Sequence, residues 1–228
     1  MRTWETTPVI ILNLNLPPWE RVQTRNILLS LLIPGPNQPK ELDSFLQPLV
    51  DELLILHRGV LNTLSLDGTF FTLKAHTLHC AGDGPAIAGL MGCKKPGVAL
   101  QSCPSCWFRG TRIGNTGPYY LPYTPDQIAQ LHHKTNTHYR SVVDTWVGLI
   151  PSSKTEWGKE LRISKRSILM DLPTLDFPSS FPLDLMHTVL QNLVPQLYKL
   201  WGGGDTRAEQ ESGLRLISKL QWRRIANM

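Results

Sequence analysis

The sequence contains few cysteines and lacks long apolar runs, and each of these features argues against one class of protein. Four cysteines in 228 residues are too few for a disulfide scaffold, so metal binding or plain burial explains them better. No apolar run reaches the roughly 20 residues that a membrane span needs. Residues 1–18 do not read as a signal peptide, because Glu5 and several prolines interrupt its basic and apolar regions. We therefore expect an intracellular protein.

Internal repeats and low-complexity segments are also lacking, whereas the composition is that of a folded protein. Hydrophobic residues make up 41% of the chain, which is enough to bury a core, and the length fits one large domain or two small ones. The net charge of +5 suits a polyanionic partner such as nucleic acid. An ordinary, slightly basic soluble protein carries a similar charge, so charge alone does not choose between the two.

The first part of the chain shows strand patterns followed by a helix pattern. Apolar runs at 8–16 and 26–33, bounded by prolines, predict two neighbouring strands of one sheet. From Leu42 onward, apolar residues recur at helical spacing. Pro48 predicts a kink or a division of this helix, and Gly59 predicts its end.

Asp83 is a lone acidic residue just beyond the next predicted strand. That strand, at 69–79, follows a turn at Asp67 and Gly68, and small residues after Asp83 begin a helix. Mg²⁺ prefers rigidly held carboxylate oxygens, so a strand that delivers an aspartate to its own end suits a metal-dependent phosphoryl-transfer site. A single aspartate at such a place is not specific, and a plain turn residue is the simpler alternative.

The spacing of cysteine and histidine predicts a second metal site. Cys103 and Cys106 form a C-x2-C pair, and His133 and His138 follow in an H-x4-H spacing. Two thiolates and two imidazoles are a usual tetrahedral ligand set for structural Zn²⁺. The alternative is a C-x2-C sequence in a turn together with unrelated surface histidines.

Residues 141–181 read as a partly helical connector in which basic residues interleave with apolar and aromatic ones. Such a pattern can bind phosphate groups, although a solvated helix face is its more common cause. The basic residues concerned are Lys154, Lys159, Arg162, Lys165 and Arg166.

A second helix is predicted at 183–201, where apolar residues again recur at helical spacing and Pro195 should introduce a kink. Asp184 and His187 lie three residues apart near its start, away from the centre of the apolar stripe. On spacing alone, Asp184 is an N-terminal cap and His187 a surface side chain.

Several ordered blocks resemble the transposases of CACTA (En/Spm) elements, especially those of fungal genomes. The first block is LNLNLPPWERVQTRNILLSLLIPGPNQPKELDSFLQPLVDELLILHRGV. The resemblance continues through HCAGDGPAIAGLMGC and CPSC to FPLDLMHTVLQNLVPQLYKLW, where the family commonly shows an Asp-x-Met-His motif. It covers about residues 6–201, and the order of the blocks makes it more specific than any single motif.

The resemblance implies a DDE-type transposase with an RNase H-like fold that acts on nuclear DNA. In that family three acidic residues hold two divalent metal ions, Mg²⁺ or Mn²⁺, for DNA strand cleavage and joining. Asp83 matches the second acid of the family. Asp184 and His187 match an Asp-x2-His motif between the second and third acids. Cys103 and Cys106 match a cysteine pair thought to bind zinc.

The sequence also departs from the family pattern at its first and third acids. The first acid lies on the strand before LNLNLPP, where this sequence offers only Glu5. The third has no recognisable motif, and its candidates are Asp205, Glu209 and Glu211. One carboxylate cannot hold two metals, so we expect no strand transfer and interpret the chain as a fragment or degenerate copy. A sheet without its central strand would expose unpaired edges, which makes self-association possible.

The expected fold class is α/β, with three parts. They are a partial RNase H-like core at 1–92, a Cys/His and proline-rich insertion of zinc type at 93–181, and a helical segment at 182–228. The expected function is that of a transposase remnant, with DNA and Mg²⁺ or Mn²⁺ as its partners and Zn²⁺ as a structural metal. The alternative is a zinc-stabilised module that binds DNA or protein without catalysis, in which Asp83 is only a turn residue.

Overall fold

The described part of the chain contains both strands and helices. The computed structural model describes residues 6–35, 39, 41–95, 97–112, 118–119 and 124–202. The strands are β1 (Thr6–Leu12), β2 (Ile27–Pro34), β3 (Val60–Leu64), β4 (Phe70–Leu73), β5 (Thr111–Arg112) and β6 (Pro118–Tyr119). The helices are α1 (Pro18–Arg21), α2 (Leu42–Arg58), α3 (Gly84–Leu90), α4 (Pro125–Ala129), α5 (Asn136–Gly148), α6 (Pro151–Leu161) and α7 (Val194–Gly202). There are also 3₁₀ turns at Thr24–Asn26 and Ile168–Asp171, and a π-helix at Met186–Leu193.

Strands β1 and β2 form an antiparallel hairpin, as the two proline-bounded apolar runs predict. The register pairs Thr6 with Pro34 at one end and Leu12 with Ile27 at the other. A bulge between Val9 and Ile10 shifts the register partway along β1. The prediction of two neighbouring strands at this place is confirmed.

Helix α2 follows the apolar stripe that begins at Leu42 and buries Leu46 and Val50. It runs through Pro48 as one helix of 17 residues, so the proline does not divide it. The helix ends at Gly59, whose φ of 110° is open to glycine and costly for other residues. The predicted end of the helix is therefore confirmed.

The predicted strand at 69–79 is shorter than expected. A turn at Asp67 and Gly68 leads into β4 as predicted, but β4 ends at Leu73. Beyond it the chain is not assigned to a strand and makes separate backbone hydrogen bonds, from the Ala75 N–H to Leu56 O at 3.2 Å and from the Cys80 N–H to Ser180 O at 2.8 Å. The strand stops because its partners there are a helix end and a loop, neither of which continues a ladder.

The described strands form three separate two-stranded antiparallel sheets, β1–β2, β3–β4 and β5–β6. Together with the helices they confirm a mixed α/β class. Within the described ranges no larger sheet joins these hairpins, so the RNase H-like core stays a prediction. The boundaries at residues 92 and 181 likewise stay predictions.

The hydrophobic core joins residues from α2, α3 and α5 to the chain that follows α6. Phe177 is fully buried, and its ring packs against Tyr139 at a centroid distance of 5.6 Å and against Phe181 at 4.6 Å. The buried core residues are Leu46, Val50, Ile87, Met91, Tyr139, Val143, Ile163, Ile168, Leu169, Met170, Leu172, Leu175, Phe177 and Phe181. Val9 and Leu31 of the β1–β2 hairpin pack against this core, and both larger hairpins leave apolar side chains such as Leu28 and Phe70 exposed.

The predicted helix at 183–201 is present in two forms. A π-helix covers Met186–Leu193, and α7 continues it as an α-helix from Val194. The geometry changes directly before Pro195, where the missing N–H removes a helical hydrogen bond. Pro195, which predicted a kink in this helix, thus lies next to the change from π-helix to α-helix.

Candidate functional site

Asp83 caps the helix that follows it. Its Oδ1 accepts a hydrogen bond from the Ala86 N–H at 2.7 Å, and its backbone is extended, as an N-cap requires. Among the described residues, its second carboxylate oxygen has no hydrogen-bond partner. Asp83 therefore acts as a helix cap, and its second carboxylate oxygen remains available for another ligand.

Two hydrogen bonds hold the segment before Asp83 against residues 174–180, which belong to the segment that carries the last core residues. The Thr174 hydroxyl donates to Thr77 O at 2.6 Å, and the Cys80 N–H donates to Ser180 O at 2.8 Å. These contacts bring residues 81–82 beside residues 182–186, and the two segments line an open cleft of about 580 Å³. The cleft thus joins the sequence neighbours of Asp83 to Asp184.

Asp184, which lines this cleft, forms a hydrogen-bonded pair with His187. Asp184 Oδ1 accepts from the backbone N–H groups of Met186 at 2.9 Å and His187 at 3.2 Å, while Oδ2 bonds His187 Nδ1. The hydrogen bond from His187 lowers the pKa of the Asp184 carboxyl below its ordinary value. Asp184 therefore caps the start of the helix and also forms a specific hydrogen bond with His187.

The Asp184 contact fixes the histidine ring and leaves its other nitrogen available. Because Nδ1 bonds the carboxylate, Nε2 is the atom of His187 that can bind a metal or a substrate. The His187 side chain is 41% exposed. The π-helix begins immediately before His187, and wide helical turns of this kind are frequent at functional sites.

These residues fit a divalent metal only in part. Asp83 offers one carboxylate oxygen, whereas both oxygens of Asp184 are already engaged. In the described part of the chain, no three side chains of His, Cys, Asp or Glu are grouped so that they could hold a metal ion. Further oxygen ligands would be needed for Mg²⁺. The remaining candidate acids, Glu5, Asp205, Glu209 and Glu211, lie outside the described residues.

The C-x2-C loop lies next to the predicted histidine ligands. Cys103 Sγ and Cys106 Sγ are 3.1 Å apart, and Cys106 pairs with His133 in an isolated antiparallel bridge. The ring of His138 packs instead against Trp107, at a centroid distance of 4.8 Å. The structure thus brings Cys103, Cys106 and the backbone of His133 together and gives His138 an aromatic neighbour.

Lys134 is a structural residue of this loop that no sequence pattern indicates. It is only 7% exposed, its ammonium group donates to Cys103 O at 2.8 Å, and it lies 4.7 Å from the centre of the Trp107 ring. Burial lowers the pKa of Lys134 from its ordinary value. A lysine directly after His133 gives no signal of burial, because the contact depends on chain segments that are distant in sequence.

Four of the five basic residues singled out in the connector make side-chain contacts within the protein. Arg162 is buried and donates to the carbonyls of Lys94 at 2.6 Å and Ser102 at 2.8 Å. Three others form ion pairs or ring contacts: Lys165 with Glu41 and Asp43, Arg166 with Asp171, and Lys154 with Trp146. These contacts favour a role in folding over a row of phosphate-binding side chains.

Comparison with known proteins identifies the family of the chain. Residues 1–121, more than half of the sequence, match the family model described as transposase family tnp2. No curated protein and no solved structure gives a match. None of the helices in the described ranges has both the length and the apolar character needed to cross a bilayer. The chain therefore belongs to the tnp2 transposase family.

Proposed function

We propose that this chain supplies part of the metal-dependent DNA cleavage and strand-transfer site of a CACTA (En/Spm) type transposase with an RNase H-like core. The family match covers Asp83, and the observation that carries the proposal is the cleft. Its lining includes Ala81 and Gly82, which directly precede Asp83, and Asp184, which is hydrogen-bonded to His187. DNA is the proposed partner, and the nucleus is the proposed place of action.

The chain's own residues take distinct roles in this proposal. The free oxygen of Asp83 is a metal ligand, since a carboxylate on a capped helix start is rigidly held. Asp184 positions His187 by fixing its tautomer, and His187 faces the metal or the DNA through Nε2. A divalent ion, when bound, would supply an activated water or DNA 3′-hydroxyl and stabilise the leaving oxygen.

These residues do not make a complete two-metal site. Asp83 contributes one free carboxylate oxygen, and within the described ranges no group of three potential ligands surrounds it. Two-metal sites need several carboxylates to hold both ions a few ångströms apart. We therefore infer that the chain binds DNA but does not carry out strand transfer by itself.

Incubation of the 228-residue chain with duplex DNA bearing the element's ends tests this inference. With Mn²⁺ or Mg²⁺ present, we expect binding that weakens as salt rises, because phosphate contacts release counterions, and no cleaved or joined product. The measurements are fluorescence anisotropy for binding and gel analysis for products. Turnover that disappears in Asp83→Asn would contradict the inference of an incomplete site, and an absence of DNA binding would contradict the DNA partner.

A zinc-stabilised, non-catalytic binding module is the second candidate function. The close approach of Cys103 Sγ and Cys106 Sγ, beside the backbone bridge to His133, favours it. The two candidates differ at Asp83, which binds a metal in the first and only caps α3 in the second. Loss of divalent-ion binding in Asp83→Asn therefore supports the first, and unchanged binding supports the second.

A further inference from the structure

We propose that the loop at the end of the first hairpin contacts DNA by stacking Trp19 on an unpaired base. This hairpin loop, residues 13–26, connects β1 to β2. The proposal rests on the proposed function for DNA as the partner, but it concerns a different surface. None of the loop residues lines the cleft at Asp184, and the contact needs no metal ion.

Trp19 is exposed to an extent that is unusual for tryptophan. Its exposed fraction is 70%, whereas Trp107, Trp146 and Trp157 are all partly buried. Val22, three residues further along, is 60% exposed, and residues at this spacing lie on one side of a helical turn. The hairpin loop therefore presents a flat aromatic ring and an adjoining apolar side chain to a ligand.

Hydrogen bonds within the hairpin loop fix the backbone that carries this ring. The Glu20 N–H donates to Pro17 O at 3.0 Å. The side-chain amide of Gln23 donates to Trp19 O at 3.2 Å, and that of Asn26 closes the turn with a bond to Glu20 O at 2.8 Å. Because the backbone at Trp19 is ordered before a ligand arrives, less entropy is lost on binding.

The charge of the hairpin loop favours a polyanion as its ligand. The loop carries Arg21 and Arg25 against a single acidic residue, Glu20. Arg25 pairs with Glu20 at 2.8 Å, and an exposed pair of this kind is weak enough to exchange its carboxylate for a phosphate. In the part of the chain that the structure describes, the Arg21 side chain has no ion-pair or hydrogen-bond partner, and its Nε is buried without an acceptor. A DNA phosphate would supply the acceptors that this guanidinium lacks.

The second hairpin provides a comparison in which an equally exposed aromatic ring lacks this charge. Phe70 on β4 is also 70% exposed. The turn that leads into it, at 65–69, carries one charged residue, Asp67. Hydrogen bonds from Thr69 lower the pKa of the Asp67 carboxyl below its ordinary value, so this turn is negative at neutral pH. Exposure alone therefore does not make a DNA contact, and the two rings differ in the ligand that suits them.

An unpaired base is the part of DNA that an exposed indole can stack on. Inside a duplex, both faces of a base are already covered by its neighbours. Every base has an aromatic face, so stacking tolerates different sequences. Trp19 should therefore produce a preference for unpaired over paired DNA, while the arginines contact the adjoining phosphates.

The DNA affinity of the 228-residue chain tests the proposal. The probes are a labelled duplex with six unpaired nucleotides at its centre and the same duplex fully paired, both read by fluorescence anisotropy. We expect Trp19→Ala to weaken binding to the unpaired probe about 5-fold or more and to the paired probe about twofold or less. Trp19→Phe, which keeps an aromatic ring, and the matched control Phe70→Ala should stay within about threefold on both probes.

A 2-aminopurine base in the unpaired stretch gives a second readout, since stacking on an aromatic ring quenches its fluorescence. The unmodified chain should quench it and Trp19→Ala should not. The variant should keep its thermal unfolding midpoint, because an exposed side chain is lost. Equal affinity and quenching in the two chains would overturn the stacking contact and leave DNA as a partner, whereas no binding of either probe would contradict that partner as well. An equal loss in Phe70→Ala, or a change of oligomeric state in Trp19→Ala with unchanged DNA affinity, would also overturn the assignment.

Discussion

Replacing Gly92 with alanine is expected to destabilise the protein by about 3 kcal/mol or more, because both its backbone conformation and its surroundings exclude a side chain. Its φ is +69°, and a Cβ atom there would lie 2.4 Å from Lys165 O and 3.1 Å from Ser167 N. Backbone atoms cannot give way as the end of a flexible side chain can. The variant must therefore separate two chain segments that the native fold holds together.

The position matters for the candidate site because Gly92 follows the helix that Asp83 caps. Its carbonyl accepts hydrogen bonds from the Ser164 N–H at 2.9 Å and the Lys165 N–H at 3.1 Å. The Ser164 hydroxyl donates to the same oxygen at 2.9 Å. These bonds attach the end of α3 to the core, so a shift at Gly92 would also move the helix that carries Asp83.

Urea unfolding followed by circular dichroism measures this loss. The matched control is Gly97→Ala, since Gly97 also has a positive φ, of +78°, but nothing lies within 4 Å of a Cβ there. The control should lose about 1 kcal/mol, the cost of the left-handed backbone alone. Equal losses in the two variants would show that the close approach at Gly92 is absent.

Replacing Phe177 with alanine is expected to cost about 3–5 kcal/mol, which is the usual loss when a buried phenylalanine leaves a cavity. The side chain is fully buried, and its ring contacts Tyr139 and Phe181. The Arg140 guanidinium also lies 5.5 Å from the ring centre. Several core contacts are therefore lost at once.

This substitution should also loosen the wall of the cleft. Phe181 directly precedes the residues that line the cleft, and Ser180 accepts the hydrogen bond from Cys80. Thermal unfolding is the measurement, and Phe70→Ala is the control, because Phe70 is 70% exposed and should change stability by about 0.5 kcal/mol or less. A Phe177→Ala variant as stable as this control would contradict the described core.

Sequence patterns predicted the helices and strands that are determined by residues close together in the sequence. The apolar stripe and Gly59 defined α2, and the proline-bounded runs defined the first hairpin, since periodicity and breakers act within a few residues. The end of β4 could not be predicted in this way. Residues 74–79 are of mixed polarity and contain no glycine or proline that would end a strand, and their partners are a helix end and a loop far away in sequence.

The candidate site likewise contains local contacts, which the sequence can predict, and long-range contacts, which it cannot. The position of Asp184 near the start of the helix predicted its capping role, which depends on contacts within one helical turn, whereas its side-chain hydrogen bond to His187 was not predicted. The pairing of Cys106 with His133 and the burial of Arg162 and Lys134 arise from long-range contacts. The sequence alone does not show whether a basic side chain will be exposed to solvent or will donate to a backbone carbonyl.

Paramagnetic line broadening by Mn²⁺ tests the central claim most directly. Titration of Mn²⁺ into the isotopically labelled chain should broaden the amide signals of residues 82–83 and 184–187 first. Asp83→Asn should abolish this broadening and keep the fold, because asparagine caps helices as well as aspartate does but has no carboxylate. Asp67→Asn is the control, since Asp67 also accepts a backbone N–H, from Thr69 at 3.0 Å, outside the cleft. Broadening elsewhere, or broadening that persists in Asp83→Asn, would contradict the assignment of Asp83 and His187 to one metal-dependent site.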